Sequence, residues 1–335
     1  MGGWLESLVP WGTEAIIWVQ SFSTPFLDAL FKAITFLGNT EFYLLFLPFI
    51  YWCVDRRIGL SLGYLSLSSA WLNSVVKFLF KIPRPTDPPV RVLVHETSPS
   101  FPSGHAQGSV VNWAYLAYRL RKPFLWVIAL LVLLTVPLSR IVLGAHYPQD
   151  VIGGLLIGLV VLVAFILAEP PLSRWVAGRT PAIQVLLAVG VPLVLILLHP
   201  SDVEGHYPAS DAITPMASLI GFGVGAIMDR AYLRFRVDGA WGQRILRYLV
   251  GLLLAGIFYL GPRLILPEEM PHGLEVTTRL VRYVLVGWTV SYLGPWLFVR
   301  LGLAGKEEPP PLQPPSPGAS PRGRGSEPDE SSPAG

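Results

Sequence analysis

The sequence predicts an all-α protein that crosses a membrane many times. We expect a polytopic bundle of about nine transmembrane helices, with an N-terminal interfacial helical segment and a disordered C-terminal tail. Hydrophobic residues make up 52% of the 335 residues and charged residues 14%, whereas soluble domains carry about 25% charged residues. Apolar runs of about 20 residues, the length that crosses a bilayer, recur along the chain. The net charge of +3 does not indicate a nucleic-acid partner, and the single cysteine excludes a disulfide within the chain.

Nine apolar segments are candidates for the spans. Each is followed by a break that contains charged residues, Pro or Gly, and the first segment is short. The predicted spans are residues 39–54, 60–80, 105–120, 123–143, 149–168, 181–198, 213–232, 245–266 and 280–301.

The two ends of the chain differ from this apolar middle. Trp4, Trp11 and Trp18 lie among scattered charges, which is typical of helices that lie on a membrane surface; an additional span there is the alternative. The C-terminal end is rich in Pro, Gly and Ser without apolar periodicity, so we expect disorder. The predicted parts are interfacial helices (1–38), a helix core (39–168), accessory transmembrane helices (169–303) and the tail (304–335).

The basic residues of the loops predict an orientation. They follow the first, third, fifth, seventh and ninth spans, as Arg56, Arg121 and Arg244 illustrate. Because loops rich in Lys and Arg stay in the cytoplasm, that side and the tail are predicted to be cytoplasmic. The loops that face outward are then 81–104, 144–148, 199–212 and 267–279.

Five basic residues break this rule, because they lie at or between the outward ends of spans. Charge at a membrane is costly, and such residues usually have a partner. A positive cluster on the outward side therefore indicates an anionic ligand. The five residues are Lys77, Lys81, Arg84, Arg91 and Arg140.

Three short motifs contain most of these cations. The first is KFLFKIPRP, with Lys77 and Arg84, the second is PSGH, and the third is SRIVLGAHYPQD, with Arg140. Arginine binds two oxygens with a rigid fork and lysine supplies a point charge, so the three cations can surround a phosphoryl group. Ser103 of PSGH lies where a helix begins, and helix N-termini favour anions. Gly104 lets the backbone approach closely.

Two histidines belong to the same motifs. His146 precedes a helix that Pro148 is suited to begin, and Asp150 lies in its first turn. The carboxylate can accept the ring N–H of His146 and leave the other nitrogen free to attack, while His105 protonates the leaving oxygen. Each piece alone has a structural alternative: an ordinary turn at PSGH, a snorkelling anchor at Arg140 and a structural His–Asp pair. Together, in this order and on one side, they favour a phosphate site.

The combined pattern resembles the signature of the phosphatidic acid phosphatase type 2 superfamily. A lysine is followed after six residues by Arg-Pro, then comes Pro-Ser-Gly-His, and then Ser-Arg, five residues, His, three residues and Asp. The resemblance covers about residues 39–168, the predicted catalytic core, and not the last four spans. The matching residues are Lys77, Arg84, Pro85, Pro102, Ser103, Gly104, His105, Ser139, Arg140, His146 and Asp150.

The resemblance implies a phosphatase that uses no metal and no cofactor. His146 is then the nucleophile that forms a phosphohistidine, Asp150 orients it, and His105 protonates the leaving alcohol and later activates water. The phosphoryl oxygens are then bound by Lys77, Arg84, Ser103, Gly104 and Arg140.

The branch of the superfamily determines the substrate. The stretches TEFYLLFLPFIYWCVD and PRPTDPPV resemble sphingosine-1-phosphate phosphatases, whereas WLNSVVKFLF and the nine spans resemble glucose-6-phosphatases, which usually have a neutral residue in place of Asp150. We expect a lipid phosphate phosphatase of the bacterial inner membrane, with a lipid phosphate and the bilayer as partners and an extracytoplasmic active site. The alternatives are a phosphatase of a sugar phosphate or a polyprenyl diphosphate, and a non-catalytic lipid transporter or scramblase. The oligomeric state stays open.

Two weaker patterns lie outside the three motifs. The outward loop from His199 to Asp211 also contains Asp202, Glu204 and His206; we expect a polar connector, with a metal site or a lid as the alternatives. Glycines four residues apart are expected to let helices pack closely, at residues 154 and 158 and at residues 221 and 225.

Overall fold

The computed structural model describes residues 3–267 and 270–307, and these residues form helices with no strand among them. The predicted all-α fold is confirmed. Turns of π-helix prolong α4, α11 and α13 and separate α6 from α7 in the element order that follows. The helices are α1 (Gly3–Glu6), α2 (Val9–Gln20), α3 (Pro25–Thr35), α4 (Thr40–Phe49), α5 (Arg56–Phe80), α6 (Gly104–Ser109), α7 (Tyr115–Leu120), α8 (Pro123–Val142), α9 (Pro148–Ala177), α10 (Pro181–Leu198), α11 (Ser210–Met228), α12 (Trp241–Ile265), α13 (His272–Trp288) and α14 (Gly294–Arg300).

The predicted count of nine spans is not confirmed. Among the described residues, five helices are long and apolar enough to cross a membrane: α8, α9, α10, α11 with its π-helical turn, and α12. A sixth is obtained if the segments Pro25–Gly38 and Thr40–Val54, which meet at an angle of 51°, form one broken span or a re-entrant loop. The protein is an integral membrane protein with five or six such spans by length and composition.

The other predicted spans correspond to helices that are more polar. α5 carries serines along its length and Asn73 and Lys77 near its end, and α13 carries Glu275, Arg279 and Arg282. The segment from α6 to α7 is only 17 residues long, between Gly104 and Leu120, by the bounds of its helices. These helices turn polar side chains toward other helices rather than toward lipid, which lowers their mean hydropathy.

The N-terminal interfacial segment is likewise not confirmed, although residues 3–38 are helical. α3 continues into α4 through a short 3₁₀ turn, so this part of the chain joins the bundle. The Gln20 amide at the end of α2 donates to the backbone carbonyls of Arg91 at 2.8 Å and Val142 at 3.0 Å. The first helices therefore pack against the loops that carry the predicted site.

α5 is the centre of the bundle because it packs against helices on both sides. On one side Leu62 lies in a buried cluster with Val111 and Tyr115. On the other side Leu67 packs against a cluster that contains Met216 of α11. The helices that carry the three motifs and the later helices α11 and α13 thus share α5.

Close packing at the glycine pairs is confirmed. A Cβ at Gly154 would collide with the carbonyl of Ser103, and one at Gly158 would lie 2.9 Å from the carbonyl of Gln107. A Cβ at Gly221 would collide with the backbone of α13. Gly154 and Gly158 therefore hold α9 directly against the PSGH turn. The predicted disordered tail lies, from residue 308 onward, outside the described residues.

Candidate active site

The first motif fixes two cations on the loop that precedes PSGH. α5 ends where Lys81 adopts a left-handed conformation with φ of 53°, one turn after Lys77. The Lys77 ammonium is buried and donates to the carbonyl of Pro99. Arg84 donates from Nε to the carbonyl of Ser98 at 2.6 Å. Both cations are thereby anchored to backbone oxygens of the same loop.

A network of buried side-chain amides supports the second motif. Ser103 is the N-cap of α6, and its hydroxyl accepts a hydrogen bond from the N–H of Ala106 at 3.4 Å. The Asn73 amide of α5 donates to Gln107 Oε1 at 2.8 Å, and Gln107 donates in turn to Ser69 at 2.8 Å. A Cβ at Gly104 would lie 3.2 Å from Asn73 Oδ1. This network positions the PSGH turn against α5.

The third motif is a tight turn between α8 and α9. Gly144 has a φ of +68°, a conformation that favours glycine. The turn brings the N–H of His146 to 3.2 Å from the carbonyl of Arg140. Asp150 accepts from the N–H of Tyr147 at 2.9 Å, in the first turn of α9. The sequence prediction that His146 precedes this helix and Asp150 lies in its first turn is confirmed.

His146 presents one ring nitrogen to a cation and the other to acidic and hydroxyl groups. Its Nε2 lies 3.3 Å from a terminal nitrogen of Arg84. Its Nδ1 lies 3.5 Å from Asp150 Oδ2, which is longer than an ordinary hydrogen bond. The Ser100 hydroxyl donates to the same carboxylate oxygen and lies 3.5 Å from Nδ1. The close His–Asp hydrogen bond expected from the sequence is therefore stretched, because Ser100 and the Tyr147 N–H already occupy that oxygen.

His105 is held from the N-terminal part of the chain. Its Nε2 lies 2.9 Å from Asn39 Oδ1, at the start of α4. A Cβ at Gly38 would lie 2.5 Å from the His105 ring, so only glycine allows this approach. These two contacts set the orientation of the ring.

Arg140 is the most deeply buried of the three cations, with 1% of its surface exposed. Its guanidinium donates to the Thr35 hydroxyl at 2.9 Å and to Glu96 Oε1 at 2.5 Å. Its Nε is buried and has no hydrogen-bond partner among the described residues. A cation that keeps an unused donor in a buried position is suited to bind an additional anion.

The charges around His146 keep it neutral. Burial first, and then the positive charges of Arg84, Lys77 and Arg140, lower the pKa of His146 well below its ordinary value. Burial also lowers the pKa of Arg84 to about 10, but this value is still far enough above neutral pH for Arg84 to remain a cation. The site therefore combines a neutral imidazole with cationic neighbours, as a nucleophile for an anionic substrate requires.

The structure brings the predicted site residues together and adds others that sequence reasoning missed. His146 interacts electrostatically with Lys77, Arg84, His105 and Arg140. The added residues come from α3, the start of α4, α5, the loop before PSGH and α6, and no spacing pattern marks them as part of the site. Of these residues, Glu96 is the one that the sequence could have indicated, because it is an acidic residue in a loop that carries several basic residues. The added residues are Thr35, Gly38, Asn39, Asn73, Glu96, Ser100 and Gln107.

The loop from His199 to Asp211 is built differently. His199 is buried, with Nε2 at 2.8 Å from the Ser74 hydroxyl and Nδ1 at 2.7 Å from the carbonyl of Pro200. His206 is exposed: its Nδ1 lies 3.2 Å from Asp202 of its own loop, and its ring stacks on His272 of α13 with ring centroids 5.0 Å apart. No group of three or more His, Cys, Asp or Glu side chains within the described ranges is arranged to hold a metal ion.

Two family matches cover most of the helical part of the chain. The PAP2 superfamily matches residues 58–174, which include all three motifs. A second family, described as PAP2 superfamily phosphatase, transmembrane extension, matches residues 213–306. The resemblance to the superfamily thus extends beyond the core, to the spans that the signature did not cover.

Individual relatives agree with these matches. Sphingosine-1-phosphate phosphatase 1 of Rattus norvegicus is 25% identical over 310 residues, 81% of this chain and 71% of that protein. Glucose-6-phosphatase 3 of Mus musculus is 33% identical over 161 residues, 40% of this chain and 46% of that protein. Phosphatidylglycerophosphatase B of Bacillus subtilis is 34% identical over 148 residues, 40% of this chain and 71% of that protein. With its three motifs folded into one buried cationic site, the chain belongs to the PAP2 superfamily.

Proposed function

We propose that the protein hydrolyses the phosphomonoester of a lipid, without a metal ion, through a phosphohistidine on His146. The observation that carries the proposal is the position of neutral His146, with Nε2 at 3.3 Å from Arg84 and with Lys77 and Arg140 in the same site. Cations around an attacking nitrogen can bind the phosphoryl group that the nitrogen attacks. They also stabilise the charge that spreads over its oxygens in the transition state.

In the first step Nε2 of His146 attacks phosphorus, and the bond between phosphorus and the ester oxygen breaks. Burial and the neighbouring cations lower the pKa of His105 well below its ordinary value, so in this scheme His105 takes up a proton when the anionic phosphate binds beside it. It then gives that proton to the ester oxygen, and the product leaves as an alcohol. Asp150, with Ser100 beside it, stabilises the positive charge that forms on the His146 ring. In this scheme the phosphoryl oxygens are bound by Lys77, Arg84, Ser103, Gly104 and Arg140.

In the second step a water molecule gives a proton to His105 and attacks phosphorus. The bond between phosphorus and His146 breaks, inorganic phosphate leaves, and His146 returns to the neutral form. Arg84 and Arg140 supply positive charge that a metal ion would otherwise supply. Burial lowers the pKa of Lys77 to about 7, and a bound phosphate favours its protonated form, so the scheme needs no metal.

The proposed site lies on the extracytoplasmic face of a bacterial inner membrane, with the C-terminal tail in the cytoplasm. The support is that the opposite ends of the helices that carry the motifs have basic residues, such as Arg56, Arg121 and Arg174, which favours that side as cytoplasmic. All three motifs lie at one end of the helices: the end of α5, the start of α6 and the turn between α8 and α9.

A lipid phosphate is the substrate class that the relatives favour. The rat relative spans most of this chain and is named for sphingosine 1-phosphate, and the B. subtilis relative is named for a phosphatidylglycerophosphate. Both names denote phosphates of lipids, and a site at the end of membrane helices suits a substrate that resides in the bilayer.

The proposal is tested by phosphate release from purified protein. Sphingosine 1-phosphate, phosphatidic acid and phosphatidylglycerophosphate are offered in detergent micelles with EDTA present. We expect turnover of at least one of them. Turnover that EDTA abolishes and that magnesium or zinc restores contradicts the metal-independent scheme.

A sugar phosphate is the second candidate, supported by the 33% identity to glucose-6-phosphatase 3. Asp150 speaks against it, because the glucose-6-phosphatase branch usually has a neutral residue there. Glucose 6-phosphate and a polyprenyl diphosphate therefore belong in the same panel. A kcat/KM for either that exceeds all the lipid monoesters changes the substrate assignment and leaves the chemistry intact.

A further inference from the structure

A long apolar cavity separates the helices that carry the motifs from the later helices. It has a volume of about 350 Å³ and lies between α4 and α5 on one side and α11, α12 and α13 on the other. Among the described residues that line it, Glu41 is the one charged residue, and it lies at one end. α12 contributes one continuous face, with residues at helical spacing: Leu252, Ala255, Gly256, Tyr259 and Leu260.

The end of the cavity that Glu41 marks lies next to the catalytic machinery. Glu41 follows Asn39 by two residues at the start of α4, and Asn39 holds His105. The ring and hydroxyl of Tyr43, also in the lining, lie 3.7–3.8 Å from a Cβ built at Gly108, one turn after His105. From this end the cavity continues along α4 as far as Tyr51.

His105 marks the side of the phosphate on which the alcohol leaves. The body of the substrate must extend from the oxygen that His105 protonates, so it must begin on this side of the site. The apolar cavity approaches the site on this side, because its lining residue Tyr43 lies against Gly108, one turn after His105.

We infer that this cavity binds one hydrocarbon chain of the lipid phosphate, and that α11 to α13 take part in substrate binding. The inference rests on the proposed function and names its substrate class more closely: a lipid with a long, unbranched chain attached near the phosphate. The volume is within the range of about 300–1,000 Å³ typical of small-molecule sites, and the lining offers a chain apolar contact over most of its length.

The cavity acts by positioning rather than by hydrophobic attraction. A chain that moves from lipid into an apolar groove gains little, because lipid tails are as apolar as leucine. A chain held in the groove, however, fixes the ester oxygen near His105, and such orientation contributes directly to the rate. We therefore expect the cavity to affect kcat/KM for long-chain substrates and to leave small soluble phosphates unaffected.

Gly256 provides a variant that fills the cavity without a clash. No atom of the described residues lies within 4 Å of a Cβ built at this position, and Gly256 lines the cavity from the middle of α12. Gly261, also in α12, is equally open and is not among the lining residues that the structure describes. The test variant is Gly256→Phe, the matched control is Gly261→Phe, and Gly256→Ala is a milder second variant.

The substrates are sphingosine 1-phosphate, whose single chain reaches into the bilayer, and p-nitrophenyl phosphate, which is soluble and has no chain. We expect Gly256→Phe to lower kcat/KM for the lipid by at least about tenfold, the scale on which a pocket discriminates apolar groups. Its kcat/KM for the aryl phosphate should stay within about twofold of the parent, since each change leaves the phosphate site intact. Gly261→Phe should match the parent on both, and Gly256→Ala should fall between the parent and Gly256→Phe on the lipid.

Three results separate the possible failures. Unchanged lipid turnover in Gly256→Phe overturns the inference and shows that bulk lipid fills the cavity. Equal losses on the lipid and the aryl phosphate also overturn it, because the damage is then not specific to the chain. A parent protein that hydrolyses the aryl phosphate and no lipid phosphate overturns the proposed function itself, and the inference with it.

Discussion

Two segments of this protein combine histidine with acidic residues, and only one of them is built as a buried site. In the first, formed by the three motifs, His146 and Asp150 are buried, with 2% and 0% of their surfaces exposed. They are surrounded by residues from α3, α5 and α8 and from loops far apart in sequence. In the second, residues 199–211, His206 is exposed and bonds within its own loop.

The difference lies in convergence and burial rather than in composition. A buried cation with an unused donor is costly unless an anion is bound. Arg140 is such a cation, because its Nε has no hydrogen-bond partner among the described residues. Exposed charges in a loop are solvated by water and need no ligand. The histidines and carboxylates alone would not separate the two segments, whereas the cations of the three motifs and the surroundings of each segment do.

The largest expected effect is on His146, the proposed nucleophile. His146→Gln keeps a polar side chain of similar length but cannot form a phosphohistidine, so kcat should fall by at least about 10⁴-fold. The measurement is phosphate release from a lipid phosphate. The companion variant His105→Ala should still form the phosphohistidine with an aryl phosphate, whose leaving group needs no proton, and the intermediate should accumulate.

A His146→Gln protein that keeps a tenth of the parental kcat would show that another group attacks phosphorus. Failure to trap any phosphoenzyme in His105→Ala, with aryl phosphate turnover still measurable, would argue for direct attack by water.

The second expected effect concerns Asp150. Asp150→Asn removes the charge that stabilises the His146 imidazolium and can present an NH₂ group to the ring. The corresponding change in a serine protease lowers kcat by about 10⁴; here the 3.5 Å separation leads us to expect about 10² in kcat, with KM little changed. Ser100→Ala should lower kcat roughly tenfold, because it removes the hydroxyl that donates to Asp150.

Equal kcat values for Asp150→Asn and the parent would reduce Asp150 to a capping residue that accepts the Tyr147 N–H at the start of α9. A loss in Ser100→Ala greater than that in Asp150→Asn would make Ser100 the group that orients His146.

The sequence predicted which cations and histidines lie together better than it predicted the contacts that hold them. Spacing within three motifs was enough to identify the cations and histidines, because each motif is short and places its residues by local helix geometry. Asn39 and Thr35 could not be predicted, since they meet His105 and Arg140 only through packing of α3 and α4 against later helices. The nine spans are not confirmed for a related reason: α5 and α13 carry polar residues, and hydropathy does not show which neighbours those residues will contact.

The third prediction concerns Glu96, whose carboxylate lies 2.5 Å from Arg140 in the ligand-free site. A substrate phosphate must share Arg140 with this carboxylate or displace it, because like charges at this distance repel. Glu96→Gln should therefore strengthen inhibition by inorganic phosphate, lowering its Ki by about 3- to 10-fold. Asp28→Asn is the matched control, since Asp28 pairs with Arg91, away from the three cations.

A Ki for phosphate that rises in Glu96→Gln would contradict this competition and would mean that Glu96 positions Arg140 for binding. A similar change in Asp28→Asn would show a general effect of net charge.

The fourth prediction follows from the lowered pKa of His146. The folded protein keeps this histidine neutral, while the unfolded chain protonates it below about pH 6.5. The unfolded state then binds more protons, so the contribution of this residue to the free energy of unfolding falls as the pH falls from 7.5 to 5.5. His146→Gln should lose that part of the pH dependence, as measured by chemical unfolding in detergent at both pH values. Identical pH slopes for variant and parent would mean that His146 is protonated in the folded protein.

The smallest expected effect is in the second segment. His206 bonds to Asp202 at 3.2 Å and to Glu204 at 3.3 Å on the surface, and exposed pairs of this kind contribute about 0–1 kcal/mol. His206→Ala should therefore change kcat and KM for a lipid phosphate by less than about twofold.

The contrasting variant is His199→Ala, which removes a buried ring bonded to Ser74 on α5 at 2.8 Å. Loss of that bond leaves a buried hydroxyl without its partner and should lower the free energy of unfolding by about 1–3 kcal/mol, again with little change in kcat. If His206→Ala lowered kcat by tenfold or more while stability stayed at the parental value, the loop would have to reach the phosphate during turnover. The two segments would then form one site, and the distinction drawn from burial would fail.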